Sequence, residues 1–89
     1  MTTVATMRER LAALAPENLE VIDDSAQHAG HEGARSGGGH YRVVIVSPRF
    51  EGLSTMARHR LVYDALGTLM DGAIHALSIT ARTPTEYSR

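Results

Sequence analysis

The 89-residue sequence contains no cysteine, no lysine and no tryptophan. Without a thiol, the chain can form no disulfide and cannot by itself hold an iron–sulfur cluster or a thiolate metal site. Arginine supplies all nine fixed positive charges against ten carboxylates, which gives a formal net charge of −1. A balance so close to neutral provides no long-range field to attract nucleic acid.

Long apolar runs are also missing, and none approaches the ~20 residues that a membrane span needs. The first ten residues have neither the basic leader nor the apolar stretch of a secretory signal. We therefore expect a cytoplasmic protein that makes no membrane contact. A chain of this length supports a single core, so we expect one domain over residues 1–89.

The spacing of the apolar residues predicts an α+β domain in the order α-β-β-α-β. The predicted elements are a helix at 3–15, strands at 19–24 and 41–47, a helix at 56–71 and a last strand at 74–82. A right-handed crossover through the second helix makes the last two strands parallel, and both helices cover one face of a three-stranded mixed sheet. Alternation in the last strand places Leu77, Ile79 and Ala81 on the core side, and His75 shares their parity.

Residues 26–39 include five glycines and show no apolar periodicity, which predicts a flexible loop between the first two strands. The loop has neither a P-loop nor a G-x-G-x-x-G pattern and does not lead into a helix, so it is not a phosphate cradle. Residues 85–89 are predicted to be frayed.

No catalytic constellation is present in the sequence. None of the serines lies in a nucleophile elbow. Asp23 and Asp24 are adjacent in a predicted strand, so their carboxylates point to opposite faces and cannot act as a pair. We therefore predict a binding protein and not an enzyme.

Histidine is the residue type with the most chemical potential, since neutral imidazole is a common ligand for zinc, copper and iron. His28 and His31 lie three residues apart in the loop, His40 opens the second strand, His75 opens the last strand, and His59 lies on the core edge of the second helix. Spacing alone is a weak signal, because loop histidines are more often only solvated. His75 is the most suggestive position, although a satisfied edge histidine is the more common explanation for such a residue. We interpret His59 as structural.

Five sequence blocks together resemble the BolA family. They are residues 19–25 (LEVIDDS), 40–47 (HYRVVIVS), 49–53 (RFEGL), 58–63 (RHRLVY) and 74–79 (IHALSI). The blocks cover nearly the whole chain in the order that the family has, and only the loop departs from the family in sequence and length. The resemblance implies a fold similar to a class II KH domain, often with a short extra helical turn before the long helix.

The resemblance also implies a partner, a monothiol glutaredoxin, with which the chain would form a heterodimer around a shared, glutathione-ligated [2Fe-2S] cluster. In the family, the ligands are the histidine that opens the last strand, here His75, and a loop residue whose position His28 matches. His31 is an alternative loop ligand. The chain alone would hold no cluster. The function implied is iron–sulfur trafficking or iron sensing, and histidine ligation raises the reduction potential of such a centre.

The alternative function is that of a KH-like nucleic-acid-binding transcriptional regulator, for which DNA is the partner. KH domains grip the backbone with a GXXG loop, and the corresponding region, residues 49–60, contains no such motif. Arg49, Arg58 and Arg60 can form a small basic patch that makes a few phosphate contacts, which predicts weak binding. Whether the chain alone forms a weak homodimer is left open.

Overall fold

The structure is a computed structural model, and it describes residues 2–25 and 39–88. Its main elements are α1 (Thr3–Leu11), β1 (Asn18–Asp23), β2 (Gly39–Val46), α2 (Thr55–Leu66), β3 (Ile74–Arg82) and α3 (Pro84–Tyr87). Short 3₁₀ segments lie at Ala12–Leu14, Pro48–Phe50 and Gly67–Asp71. Among these described residues, no helix is long and apolar enough to cross a membrane.

The three strands form one mixed sheet in the order β1-β2-β3. β1 runs antiparallel to β2, with Leu19 opposite Ile45, and β2 runs parallel to β3, with Val43 opposite Ile79. The crossover from β2 to β3 passes through α2, as a parallel pair requires. The predicted α-β-β-α-β order and the mixed three-stranded sheet are therefore confirmed.

A single core lies between the sheet and the two longer helices. Alternate side chains of β2 face this core, while Arg42 between them is exposed on the other side of the sheet. The predicted apolar stripes of both helices are confirmed, because their central residues are buried in the same cluster. The buried members are Met7, Leu11, Leu14, Tyr41, Val43, Ile45, Phe50, Val62, Leu66 and Ile74.

Both long helices end earlier than the apolar spacing predicts, and each end has a local cause. α1 gives way to a 3₁₀ turn after Leu11, and Ala15 then adopts a left-handed conformation (φ 50°) before Pro16. α2 begins at Thr55, one residue before the predicted start, with the Ser54 hydroxyl accepting a hydrogen bond from the Ala57 N–H at 3.1 Å. It ends at Leu66 because Gly67 has a positive φ of 56°.

The prediction of a frayed segment at residues 85–89 is wrong for its described part. Pro84–Tyr87 form the short helix α3, which begins with a capping box. The Thr83 hydroxyl accepts from the Glu86 N–H at 3.2 Å, and the Glu86 carboxylate accepts from the Thr83 N–H at 2.8 Å. Proline at the first helical position and a reciprocal cap together stabilise a helix start.

The predicted loop at 26–39 falls mostly outside the described residues, which resume at Gly39. Gly39 itself is not part of a loop, because it is the first residue of β2. Its N–H donates a hydrogen bond to the Ala73 carbonyl at 3.0 Å. The boundary is therefore corrected by one residue, and the predicted flexibility of the rest stays a prediction.

Candidate metal centre

An irregularity at the start of β3 decides where His75 lies. Gly39 pairs with Ile74 and His40 pairs with Ala76, so His75 is an extra residue in β3, as in a β-bulge. Ile74 is buried and Leu77 packs against the core, which separates these core-facing residues by three positions instead of two. The prediction that His75 shares the parity of Leu77 is therefore wrong, and His75 is exposed.

The residues opposite the irregularity are packed closely. A Cβ atom added to Gly39 would lie 2.5 Å from the ring edge of Tyr41, which is itself buried. Only glycine lets the Tyr41 ring take this position without displacing the strand. The backbone next to His75 is thus held by a buried aromatic ring.

His40 lies beside His75, on the neighbouring strand. The centroids of the two imidazole rings are 5.3 Å apart, and their planes are inclined by 38°. Residues at the end of β1 fix the backbone of His40, since its N–H donates to the Ser25 hydroxyl at 3.1 Å and its carbonyl accepts from the Asp24 N–H at 2.7 Å. His40 is half-buried.

The sequence did not single out His40 as a site residue, although a signal was available. His40 and His75 each stand near the start of a strand, and the crossover makes these strands parallel neighbours. The first residues of parallel neighbours meet at one end of the sheet. The predicted topology therefore already placed both histidines at the same end of the sheet, although they are far apart in the sequence.

Charged groups lie beside His40 on the face of the sheet that points away from the two longer helices. The Arg42 Nε atom donates to Asp24 Oδ2 at 2.6 Å, and the Asp24 side chain is only 13% exposed. Hydrogen bonds from the side chain and backbone of Ser25 lower the pKa of the neighbouring Asp23 carboxyl. This face of the sheet has a shallow depression of about 280 Å³. It is lined by Asp24, His40, Tyr41, Arg42, Ala76, Leu77 and Ser78.

Two imidazoles do not complete a metal site. Over residues 2–25 and 39–88, no group of three or more histidine, cysteine, aspartate or glutamate side chains is arranged to hold a metal ion. Further ligands must therefore come from outside this part of the chain. The predicted loop ligands His28 and His31 lie outside the described residues, and their assignment stays a prediction.

The three arginines proposed for nucleic acid differ in their surroundings. Arg58 donates to both carboxylate oxygens of Glu86, at 2.7 and 3.1 Å, and its side chain is 14% exposed. It also donates to the carbonyls of Leu53 and Ala81 at 3.0 and 3.1 Å. The hydrogen bonds to Glu86 raise the pKa of Arg58.

Arg49 and Arg60 are exposed and open to solvent contacts. His59 directly precedes Arg60 on α2. It is half-buried and borders a surface depression between α2 and β3. Arg58 therefore acts within the domain, and the predicted basic patch depends on Arg49 and Arg60.

Comparison with known proteins agrees with the resemblance seen in the sequence. The profile of the family described as BolA-like protein matches residues 11–86. BolA-like protein 1 from Homo sapiens is 48% identical over 84 residues, which cover 93% of this chain and 59% of the human protein. This chain thus spans less than two thirds of that relative.

Solved structures give the same result for the fold. BolA1 from Arabidopsis thaliana superposes with a TM-score of 0.82 at 42% identity, and the match covers 97% of this chain and 96% of that one. The BolA domain of SufE1 from the same plant also has a TM-score of 0.82, at 43% identity, covering 97% of this chain and 98% of that one.

Proposed function

The chain belongs to the BolA-like protein family, and on that premise we propose that it is a binding partner of a monothiol glutaredoxin. The two proteins would share a glutathione-ligated [2Fe-2S] cluster, and the complex would serve iron–sulfur trafficking or iron sensing. The cluster is cargo held between the partners and is not resident in this chain. The chain acts as a binding module and not as an enzyme.

The exposed His75 at the irregular start of β3 is the observation that supports this proposal. An extra residue turns its imidazole away from the core and towards solvent. The strand beneath it is fixed, because Ile74 on one side is buried and Gly39 opposite is covered by Tyr41. A rigidly placed, solvent-facing imidazole is suited to ligate a metal that a second protein presents.

The set of donors fits a shared cluster. Iron in [2Fe-2S] centres is held by thiolates, with imidazoles replacing two of them in Rieske-type sites. This chain has histidines and no cysteine, so it can supply only the imidazole side of such a centre. A glutaredoxin cysteine and the glutathione thiol would supply the remaining ligands, and the neutral imidazoles would make the centre easier to reduce and to release.

The proposal is tested by mixing the chain with a monothiol glutaredoxin, iron, sulfide and glutathione. Visible absorption and circular dichroism report the cluster, and size-exclusion chromatography reports the complex. We expect a one-to-one complex whose spectrum differs from that of the glutaredoxin alone. His75→Ala should weaken or abolish this spectrum, whereas His59→Ala, the matched control, should retain it.

Two results would contradict the proposal. One is a stable [2Fe-2S] centre in the isolated chain, reconstituted without a partner or an added thiol. The other is an unchanged spectrum of the mixed complex when His28, His31 and His75 are all replaced by alanine. In that case the glutaredoxin would hold the cluster without histidine ligands from this chain.

A further inference from the structure

We infer that His40 and His75 form a two-imidazole metal-binding pair, in which His40 on β2 takes the place that the family resemblance implies for a loop histidine. The inference deepens the proposed function. It rests on that function only for the identity of the metal, which would be iron of the shared cluster. The pairing itself rests on the positions of the two rings.

The separation of the rings matches a common metal ion between them. An imidazole nitrogen lies about 2.0–2.1 Å from a tetrahedral ion such as zinc, which places the ring centres ~3.2 Å from the metal and ~5.2 Å from each other. The centroids of His40 and His75 are 5.3 Å apart. The separation of the two ring centres is therefore the one that a shared tetrahedral ion requires.

Both rings are carried by strands and not by a loop. The extra residue in β3 exposes His75 on the side where His40 lies. The backbone of His40 is fixed through Ser25 and Asp24 at the end of β1. Ligands placed by strands lose less conformational freedom on binding than ligands in a glycine-rich loop. The backbone of His40 is thus already fixed before its imidazole binds a metal.

The pair leaves coordination positions open for other molecules. In the described part of the chain, no third metal-binding side chain joins the two imidazoles. An ion held by both imidazoles would keep two tetrahedral positions open. In a shared [2Fe-2S] cluster the bridging sulfides would take these positions, and the glutaredoxin and glutathione thiolates would bind the other iron. Asp24 is the carboxylate that lines the depression beside His40, and it is paired with Arg42.

The first test uses zinc alone and does not involve a glutaredoxin. The isolated chain is titrated with Zn²⁺ by calorimetry, and imidazole nitrogen NMR identifies the histidines that shift. We expect one ion per chain, and at least tenfold weaker binding for both His40→Ala and His75→Ala. The loop double variant, with His28 and His31 replaced by alanine, should bind as the unmodified chain does, and so should His59→Ala.

His40→Gln, which retains a polar side chain of similar size, separates the loss of a ligand from the loss of structure. It should lose zinc while its urea-unfolding midpoint remains unchanged. The inference is overturned if the unmodified chain binds no Zn²⁺, because the two rings then only pack against each other. It is also overturned if both His40 variants bind normally, or if the loop double variant alone loses binding.

The second test uses the mixed complex and separates this inference from the proposed function. We expect His40→Gln to alter the visible circular dichroism as strongly as His75→Ala, and the loop double variant to leave it nearly unchanged. If no cluster forms with the unmodified chain, the proposed function fails while the zinc titration still decides the pairing. An unchanged spectrum in His40→Gln, together with loss in His28→Ala, overturns the pair and leaves the proposed function intact.

Discussion

Gly39 is the single residue on which the geometry at the start of β3 depends most directly. Its backbone continues the hydrogen-bond ladder to Ala73, and its missing side chain leaves room for the buried ring of Tyr41. The irregular pairing that exposes His75 begins opposite this glycine. A change at Gly39 should therefore alter both stability and the position of His75.

Gly39→Ala should destabilise the domain by about 1–3 kcal/mol, because the new Cβ overlaps with a ring that has little room to move. Urea unfolding measures the free energy difference. Gly72→Ala is the matched control, since nothing lies within 4 Å of a Cβ added there. Equal stability of the two variants would show that Tyr41 adjusts without cost, and that Gly39 does not determine the packing.

Among the elements, α3 is connected to the rest of the domain by polar contacts more than by apolar burial. Glu86 joins it to α2 through Arg58, and the Tyr87 hydroxyl joins it to β1 by accepting from the Asn18 amide at 2.8 Å. The Arg58 hydrogen bonds, followed by the Thr83 N–H, lower the pKa of Glu86 from 4.5 to about 2. The charged form of Glu86 is therefore the form that the folded state favours.

Glu86→Gln should lower stability at neutral pH, and the difference from the unmodified chain should shrink in acid. Because the folded pKa is depressed, the contribution of Glu86 is fully present above about pH 4.5 and is lost as the pH falls towards 2. Thermal unfolding between pH 7 and pH 2.5 measures this. Glu20→Gln, at an exposed carboxylate of β1, should show no such convergence, and a constant difference at Glu86 would contradict the assigned cause.

The elements also show what the sequence could and could not predict. β3 was predicted at its observed bounds, and the buried stripe of α2 was predicted because a period of 3.6 residues reports burial directly. The reversed parity of His75 was not predicted, because the alternation was extended from Leu77 back to His75 although the spacing of three between Ile74 and Leu77 marks the inserted residue. α3 was missed although Thr83 and Glu86 carry the local capping-box pattern around Pro84. The contact that anchors it could not be predicted, because Arg58 lies 28 residues from Glu86 in the sequence.

At the scale of the whole molecule, the charge is balanced and no strong field surrounds the domain. The formal net charge is −1, and one arginine of the predicted basic patch, Arg58, is paired with Glu86 inside the domain. Within that patch, the arginines left for phosphate contacts are the exposed Arg49 and Arg60. Any interaction with nucleic acid is therefore expected to depend on very few contacts.

Binding of duplex DNA by the chain alone should be weak and only mildly salt-dependent. Two or three phosphate contacts give a slope of about −2 to −3 when the logarithm of the binding constant is plotted against that of the salt concentration. Fluorescence anisotropy over a range of KCl concentrations measures this slope. Arg60→Ala should reduce its magnitude by about one, whereas Arg58→Ala should lower the unfolding free energy and leave the slope unchanged. Tight, sequence-selective binding at physiological salt would instead make nucleic acid the primary partner, because phosphate contacts from Arg49 and Arg60 cannot provide that affinity.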